Sequence, residues 1–217
     1  GQEGGNTVAS VLCGDVNPSG HLPSTISVRY ELEPTADNFP QVFADKPFNY
    51  SYYRQIKTKK LPLHTVRNID YTNYEEGIYV GYRYFNTFAP KAVAYPFGFG
   101  LSYTTFKYDN LKVTNGANGY LVEFDVTNTG KVDGAEVAQV YVGYNDKSVI
   151  QPVKQLKGYD KKNIAKGATH HFAIELPYSE LKYYDIISHN FVDASKDITI
   201  YVGASAEAIY LNGEANR

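Results

Sequence analysis

Residues 120–130 read Tyr-Leu-Val-Glu-Phe-Asp-Val-Thr-Asn-Thr-Gly, with Tyr120, Val122, Phe124 and Val126 apolar at every second position. Side chains alternate across a β-strand, so this spacing places them on one face and predicts a half-buried strand closed by the turn formers Asn128-Thr129-Gly130. The same period recurs at Leu111 and Val113, at Val140 and Val142, at Phe172, Ile174 and Leu176, and at Ile198, Ile200 and Val202. Between these runs lie Asn115-Gly116, Asn118-Gly119, Asp133-Gly134, Lys166-Gly167 and Asn212-Gly213, dipeptides suited to turns between antiparallel strands. About 110 residues of this pattern predict an antiparallel β-sandwich of immunoglobulin type.

Upstream the pattern changes. In Asn6-Thr-Val-Ala-Ser-Val-Leu12, the positions of Val8, Val11 and Leu12 predict a short buried helix, with Asn6 as its cap and Gly14 as its end. The turn formers Asp15-Val16-Asn17-Pro18-Ser19-Gly20 follow, then a strand over residues 24–28. One helix and one strand leave an apolar face uncovered, so this unit is expected to complete an α/β layer whose other strands lie upstream. The absence of methionine fits a chain that begins inside a longer gene product.

From Tyr30 to about Tyr71 the sequence is rich in Pro, Asn, Asp and rings, with basic residues at Lys57, Lys59 and Lys60. It reads as a long ordered excursion anchored by Phe39, Phe43, Phe48, Tyr50, Tyr52 and Tyr53. Asn49-Tyr50-Ser51 matches the N-glycosylation pattern, which is too short to carry weight. In residues 74–106 glycines alternate with large rings, as in Gly77-Ile-Tyr-Val-Gly-Tyr-Arg-Tyr-Phe85 and Tyr95-Pro-Phe-Gly-Phe-Gly100, and this stretch reads as a strap between domains.

Composition limits the function classes. Hydrophobic residues form 43% and charged residues 20% of the 217, with 21 Tyr and 11 Phe, which is globular usage. A formal charge of −2 gives no broad attraction to phosphate backbones or anionic lipid, so no nucleic-acid partner is expected. No run approaches the roughly 20 apolar residues of a membrane span. Cys13 is the single cysteine, which excludes an intrachain disulfide and a multi-cysteine zinc site.

Several stretches in succession resemble glycoside hydrolase family 3, particularly its bacterial β-glucosidases. Gly1-Gln-Glu-Gly-Gly-Asn6 and Gly14-Asp-Val-Asn-Pro-Ser-Gly-His-Leu-Pro23 resemble the region that closes the family's α/β sandwich domain. Tyr74-Glu-Glu-Gly-Ile-Tyr-Val-Gly-Tyr-Arg-Tyr84 and Pro96-Phe-Gly-Phe-Gly-Leu-Ser-Tyr-Thr-Thr-Phe106 are similar to its linker into the last domain. Val126-Thr-Asn-Thr-Gly130, Gly134-Ala-Glu-Val137 and Pro152-Val-Lys-Gln-Leu-Lys-Gly-Tyr159 resemble its fibronectin type III-like domain. The resemblance implies a mainly β chain in three parts. Residues 1–30 are the C-terminal remnant of the α/β sandwich domain, 31–104 an aromatic loop and interdomain strap, and 105–217 a fibronectin type III-like β-sandwich.

The resemblance also implies a retaining, exo-acting β-glycosidase, placed in the periplasm or outside the cell and acting on β-linked oligosaccharides. Its Asp nucleophile and Glu acid/base would map upstream of Gly1. Retention needs two carboxyl groups about 5 Å apart, and no such pair is evident in this chain. Glu75 and Glu76 are neighbours that would point to opposite sides of an extended segment, and Glu3 sits at a helix start where the dipole favours a carboxylate. His170 and His171 face opposite surfaces of a strand, while His21, His64 and His189 lack ligand-spaced partners. Gly98-Phe-Gly-Leu-Ser102 is not a nucleophile elbow, and Cys13 reads as an inert, buried thiol. No catalytic, cofactor-binding or metal-binding residue and no cofactor are therefore assigned. The expected role is structural, packing on catalytic domains, with a carbohydrate-binding module as the alternative and an adhesion domain ranked below it.

Overall fold

The structure, a computed structural model, describes residues 2–36, 76–146, 148 and 150–217. Its centre is a sandwich of two antiparallel sheets. One is built from β3 (Phe106–Asn115), β4 (Gly119–Asn128) and β7 (Thr169–Pro177), side by side in that order. The other is built from β5 (Gly134–Tyr144), β6 (Gln155–Ile164), β10 (Asp197–Gly203) and β11 (Ile209–Asn216), in the order β11-β10-β5-β6. A hairpin of β8 (Lys182–Asp185) and β9 (Asn190–Asp193) lies between β7 and β10 in the sequence.

The alternating residues form the core as the sequence predicts. Val122, Phe124 and Val126 on β4 face Val140 and Val142 on β5 and Ile198, Ile200 and Val202 on β10 within one buried cluster. Phe124 stacks almost parallel on Phe172 across the β4–β7 pair, with centroids 5.3 Å apart. Each such side chain taken from water contributes about 1.5–3 kcal/mol, and this core needs no disulfide.

Not all the turn dipeptides behave alike. The amide of Gly116 donates to the carbonyl of Gly119 at 2.9 Å, closing the β3–β4 turn, and Gly167 takes the left-handed φ of +75° before β7. Asn212-Gly213, expected as a turn, instead lies inside β11, where Gly213 pairs with Ile200. A Cβ at Gly213 would meet only ordinary contacts, 3.4 Å from Leu111 Cδ2 on the opposite sheet, so this glycine acts as a strand residue and not as a turn former.

The first helix, α1 (Gly4–Cys13), exists but is not buried. Val8 is 58% and Leu12 77% exposed, because no other described element covers its apolar side. Cys13 is exposed as well, correcting the expectation of a buried thiol. Glu3, not Asn6, occupies the cap position, and Asn6 instead donates to the Glu3 carboxylate at 2.5 Å. Gly14 ends the helix at φ +81°, as expected of a residue without a Cβ. The strand expected over 24–28 shrinks to β1 (Ile26–Ser27), paired with β2 (Val93–Tyr95) from the strap.

The strap is not extended throughout. Residues Tyr82–Phe88 form a helix, α2, entered through Gly81 at φ +58°. Phe85 on α2 is 1% exposed, so packing rather than propensity holds this ring-rich helix. Glu76 lies in a turn, not an extended segment. The aromatic excursion beyond Ala36, with Lys57, Lys59, Lys60, His64, Asn49-Tyr50-Ser51 and Glu75, lies outside the described residues. Among the described residues no helix is long and apolar enough to cross a membrane.

Candidate functional site: the seam between strap and sandwich

The strap covers the outer face of the four-stranded sheet. From Ala138 to Tyr144 every residue of β5 is buried, whereas its first residues alternate. Core residues cover one face of β5, and Tyr82 and Phe97 cover the other. These two rings stack with centroids 4.8 Å apart, and Tyr82 meets Tyr141 edge to face at 5.9 Å. The Tyr82 hydroxyl accepts from the amide of Leu156 on β6 at 2.9 Å, so one side chain joins α2 to two strands of the sheet.

Gln139 anchors the other side of the strap. Its Nε2 donates to the carbonyls of Gly98 at 3.3 Å and Ala204 at 2.5 Å, and the Tyr141 hydroxyl donates to its Oε1 at 2.5 Å. The Gln139 side chain is thereby paired at both ends although only 3% exposed. Gly98 fits over it because φ is +79° and a Cβ there would lie 2.3 Å from Gln139 Oε1.

The turn after α1 enters the same seam. Asn17 Nδ2 donates to the Asp133 carbonyl at 2.9 Å, while its Oδ1 accepts from the Tyr103 amide at 2.8 Å and the Ser102 hydroxyl at 3.1 Å. His21 Nδ1 meets the Gly98 carbonyl at 2.5 Å, and backbone bonds link Leu22 with Phe99 and Gly98. A carbonyl only accepts, so His21 Nδ1 carries a proton in this contact. Thr104 donates to Asn128 Oδ1 at 2.5 Å, and Asn128 Nδ2 donates to the carbonyls of Val132 and Ile164, fixing the strap end to the β4–β5 turn.

Glu136 is the charged group of this region. It sits in the core-facing register of β5, is 6% exposed, and accepts from the Tyr108 hydroxyl at 2.7 Å. Burial raises its pKa above the ordinary carboxylate range, against the opposing pull of the Tyr108 bond and of His21. Burial first, and then the Glu136 charge, push the Tyr108 phenol far up, so it stays a donor at any working pH.

The other sequence candidates lie apart from the seam. Glu3 occupies the cap position of α1 without a side-chain capping bond, and His189 lies in the β8–β9 connection at φ +53°. His170 turns toward Phe172 with centroids 4.9 Å apart, whereas the exposed His171 contacts Asp125 at 2.8 Å and Glu123 at 3.5 Å, confirming that the pair faces opposite ways. Sequence reasoning missed Asn17, Gln139 and Glu136 as seam residues. Glu136 had a legible signal: it precedes Ala138, Val140 and Val142 at the core period of two.

A fibronectin type III-like sandwich strapped to the end of an α/β unit defines the class of protein. The model of the fibronectin type III-like domain matches residues 136–206, and that of the glycosyl hydrolase family 3 C-terminal domain matches residues 1–82. The chain belongs to glycoside hydrolase family 3 and corresponds to the C-terminal part of its β-glucosidases. Probable β-glucosidase D of Aspergillus niger is 34% identical over 235 residues, covering 98% of this chain and 27% of that protein. β-Glucosidase B of Emericella nidulans is 37% identical, covering 96% of this chain and 23% of its own length. The crystal structure of the family 3 β-glucosidase of Bifidobacterium adolescentis superposes with a TM-score of 0.82 at 33% identity, over 100% of this chain and 28% of that one. The chain thus spans about a quarter of the length of these relatives.

Proposed function

We propose that this chain is the structural C-terminal region of a retaining, exo-acting β-glycosidase acting on β-linked oligosaccharides outside the cytoplasm. Its sandwich and strap buttress catalytic domains that supply both carboxylates. The division into residues 1–30, 31–104 and 105–217 belongs to this proposal.

One observation carries the reading. The turn after α1 is bonded to the strap through His21 and into the sandwich through Asn17 and Ser19, the last accepting from Lys161 Nζ at 2.9 Å. Meanwhile the apolar residues Val8, Leu12, Val16 and Ile26 on the same unit stay exposed. A unit rigidly held on one side and apolar on the other is suited to dock the sandwich onto an α/β layer. The family's β-glucosidase relatives support the choice of a glucoside as substrate.

The carbohydrate-module alternative needs a flat row of exposed rings. The exposed pair Tyr184 and Phe191 meets edge to face at 73°, which is not a flat platform for sugar. The test is turnover of an aryl β-glucoside. The purified 217-residue chain is expected to release no aglycone, while a protein extended upstream through both catalytic domains releases it. Clean turnover by the 217 residues alone would overturn the proposal.

A further inference from the structure

A cleft of about 310 Å³ opens at the seam, lined in part by His21, Phe99, Phe106, Glu136, Ser205 and Tyr210. Its floor contains an anomaly for a purely structural domain. Glu136 takes a position that the rest of β5 gives to Ala138, Val140 and Val142, and an apolar residue there would spare the fold the desolvation of a carboxylate. A costly buried acid at the wall of a cavity is characteristic of a binding site rather than of a core.

We propose that this cleft binds a single neutral sugar ring, with Glu136 as the acceptor for its hydroxyls. The volume lies at the lower end of ligand pockets, roughly 300–1,000 Å³, which suits one ring and not an oligosaccharide. The walls have the two components a pyranose needs. Phe99, Phe106 and Tyr210 provide apolar surface for its C–H face. The principal acceptor is the Glu136 carboxylate, engaged by Tyr108 at one oxygen. Ser205 supplies the complementary donor, since its oxygen already accepts from the amides of Glu207 at 3.3 Å and Ala208 at 2.9 Å and its proton remains available. Glu136 disfavours an anionic ligand, and the Ser205 donor has no counterpart on a bare ammonium ion.

The inference does not rest on the buttress reading, because it concerns this chain's own cleft. It is tested by titrating the isotopically labelled 217-residue protein with glucose and following backbone amide shifts. Saturable shifts centred on Glu136, Ser205 and Tyr210 are expected, with binding weakened at least tenfold in Glu136→Gln and in Ser205→Ala. Glu136→Gln keeps the Tyr108 bond and removes a buried charge, so it remains folded, and its thermal midpoint confirms this. Absence of shifts, shifts elsewhere, or an unchanged titration of Glu136→Gln overturns the proposal. So does an equal response of the same amides to the acyclic polyol mannitol or to tetramethylammonium.

Discussion

Asn17 donates its side-chain amide to the carbonyl of Asp133 across 116 positions of sequence, at 2.9 Å. With the two bonds that its oxygen accepts from Ser102 and Tyr103, this one side chain ties the turn after α1 to the strap and to the β4–β5 turn. Asn17→Ala is therefore expected to lower the unfolding free energy by about 1–3 kcal/mol. Asn17→Asp keeps both accepted bonds and loses the donated one, so it should fall between alanine and the native residue. Urea denaturation of the three proteins measures this; an alanine variant as stable as the native protein would show that the clamp contributes nothing.

Gly98 needs to be glycine for two independent reasons, its φ of +79° and the 2.3 Å separation that a Cβ would have from Gln139 Oε1. Gly98→Ala is expected to cost about 2 kcal/mol or more, combining left-handed strain with overpacking. Adding Gln139→Ala removes the collision but not the strain. Relative to Gln139→Ala alone, the Gly98 substitution should then cost only about 1 kcal/mol. This double-mutant cycle, read by thermal and urea unfolding, separates the two causes, and a coupling energy of zero would exclude the steric one.

The sandwich was legible because its inner residues have only one environment available. Val122, Phe124 and Val126 repeat every second position, and so do Ile198, Ile200 and Val202, and all six are fully or nearly fully buried. β6 was not recognised as a strand because Lys157, Tyr159, Asp160, Lys161 and Lys162 mask its period; only Ile164 of its ten residues is fully inside. α2 escaped notice for a different reason. Tyr82-Arg83-Tyr84-Phe85 has no strong helical preference, and the helix follows from rings packing onto β5, a tertiary effect. The seam was the least legible part, since Asn17 reads locally as one more turn former while its partners lie more than 80 positions away. The exposure of α1 also lay beyond the pattern: spacing reports that a face is apolar, not which element covers it.

His171 and Asp125 provide a pH dependence with a definite sign. The hydrogen bond to Asp125 raises the His171 pKa above its ordinary 6.5, and bonds from Asn110 and then His171 lower that of Asp125 below 3.8. The raised histidine contributes stability that is complete below its unfolded pKa and lost as pH rises through the folded one. The depressed carboxylate contributes stability present above its unfolded value and lost on acidification. The difference in stability between the native protein and His171→Gln should thus be largest at about pH 4–6.5 and vanish at alkaline pH. Glu136 runs oppositely to Asp125. Its raised pKa makes the folded state lose stability as pH climbs from the ordinary value of 4.5 through the folded one, so Glu136→Gln should be more stable than the native protein at pH 7 and not at pH 4. Thermal unfolding across pH 4–9 checks both; a pH-independent difference in either variant contradicts the assignment.

Tyr82 tests whether the strap serves catalysis by position alone. Its ring stacks on Phe97 and meets Tyr141, and its hydroxyl receives the Leu156 amide. Tyr82→Ala removes all three contacts and should cost about 3–5 kcal/mol if the seam does not collapse around the gap. Tyr82→Phe keeps the rings and loses only the accepted bond, leaving the Leu156 amide unpaired at a cost of about 1–3 kcal/mol. In a protein extended upstream to include the catalytic domains, neither change touches the bond being broken. Both variants should therefore lower the thermal midpoint, the alanine variant more, while leaving kcat per folded molecule within about twofold of the native value well below the midpoint. A large fall in kcat at full foldedness would mean that Tyr82 sets the geometry of the active site directly, and an unchanged midpoint in Tyr82→Ala would remove the strap from the stability of the protein altogether.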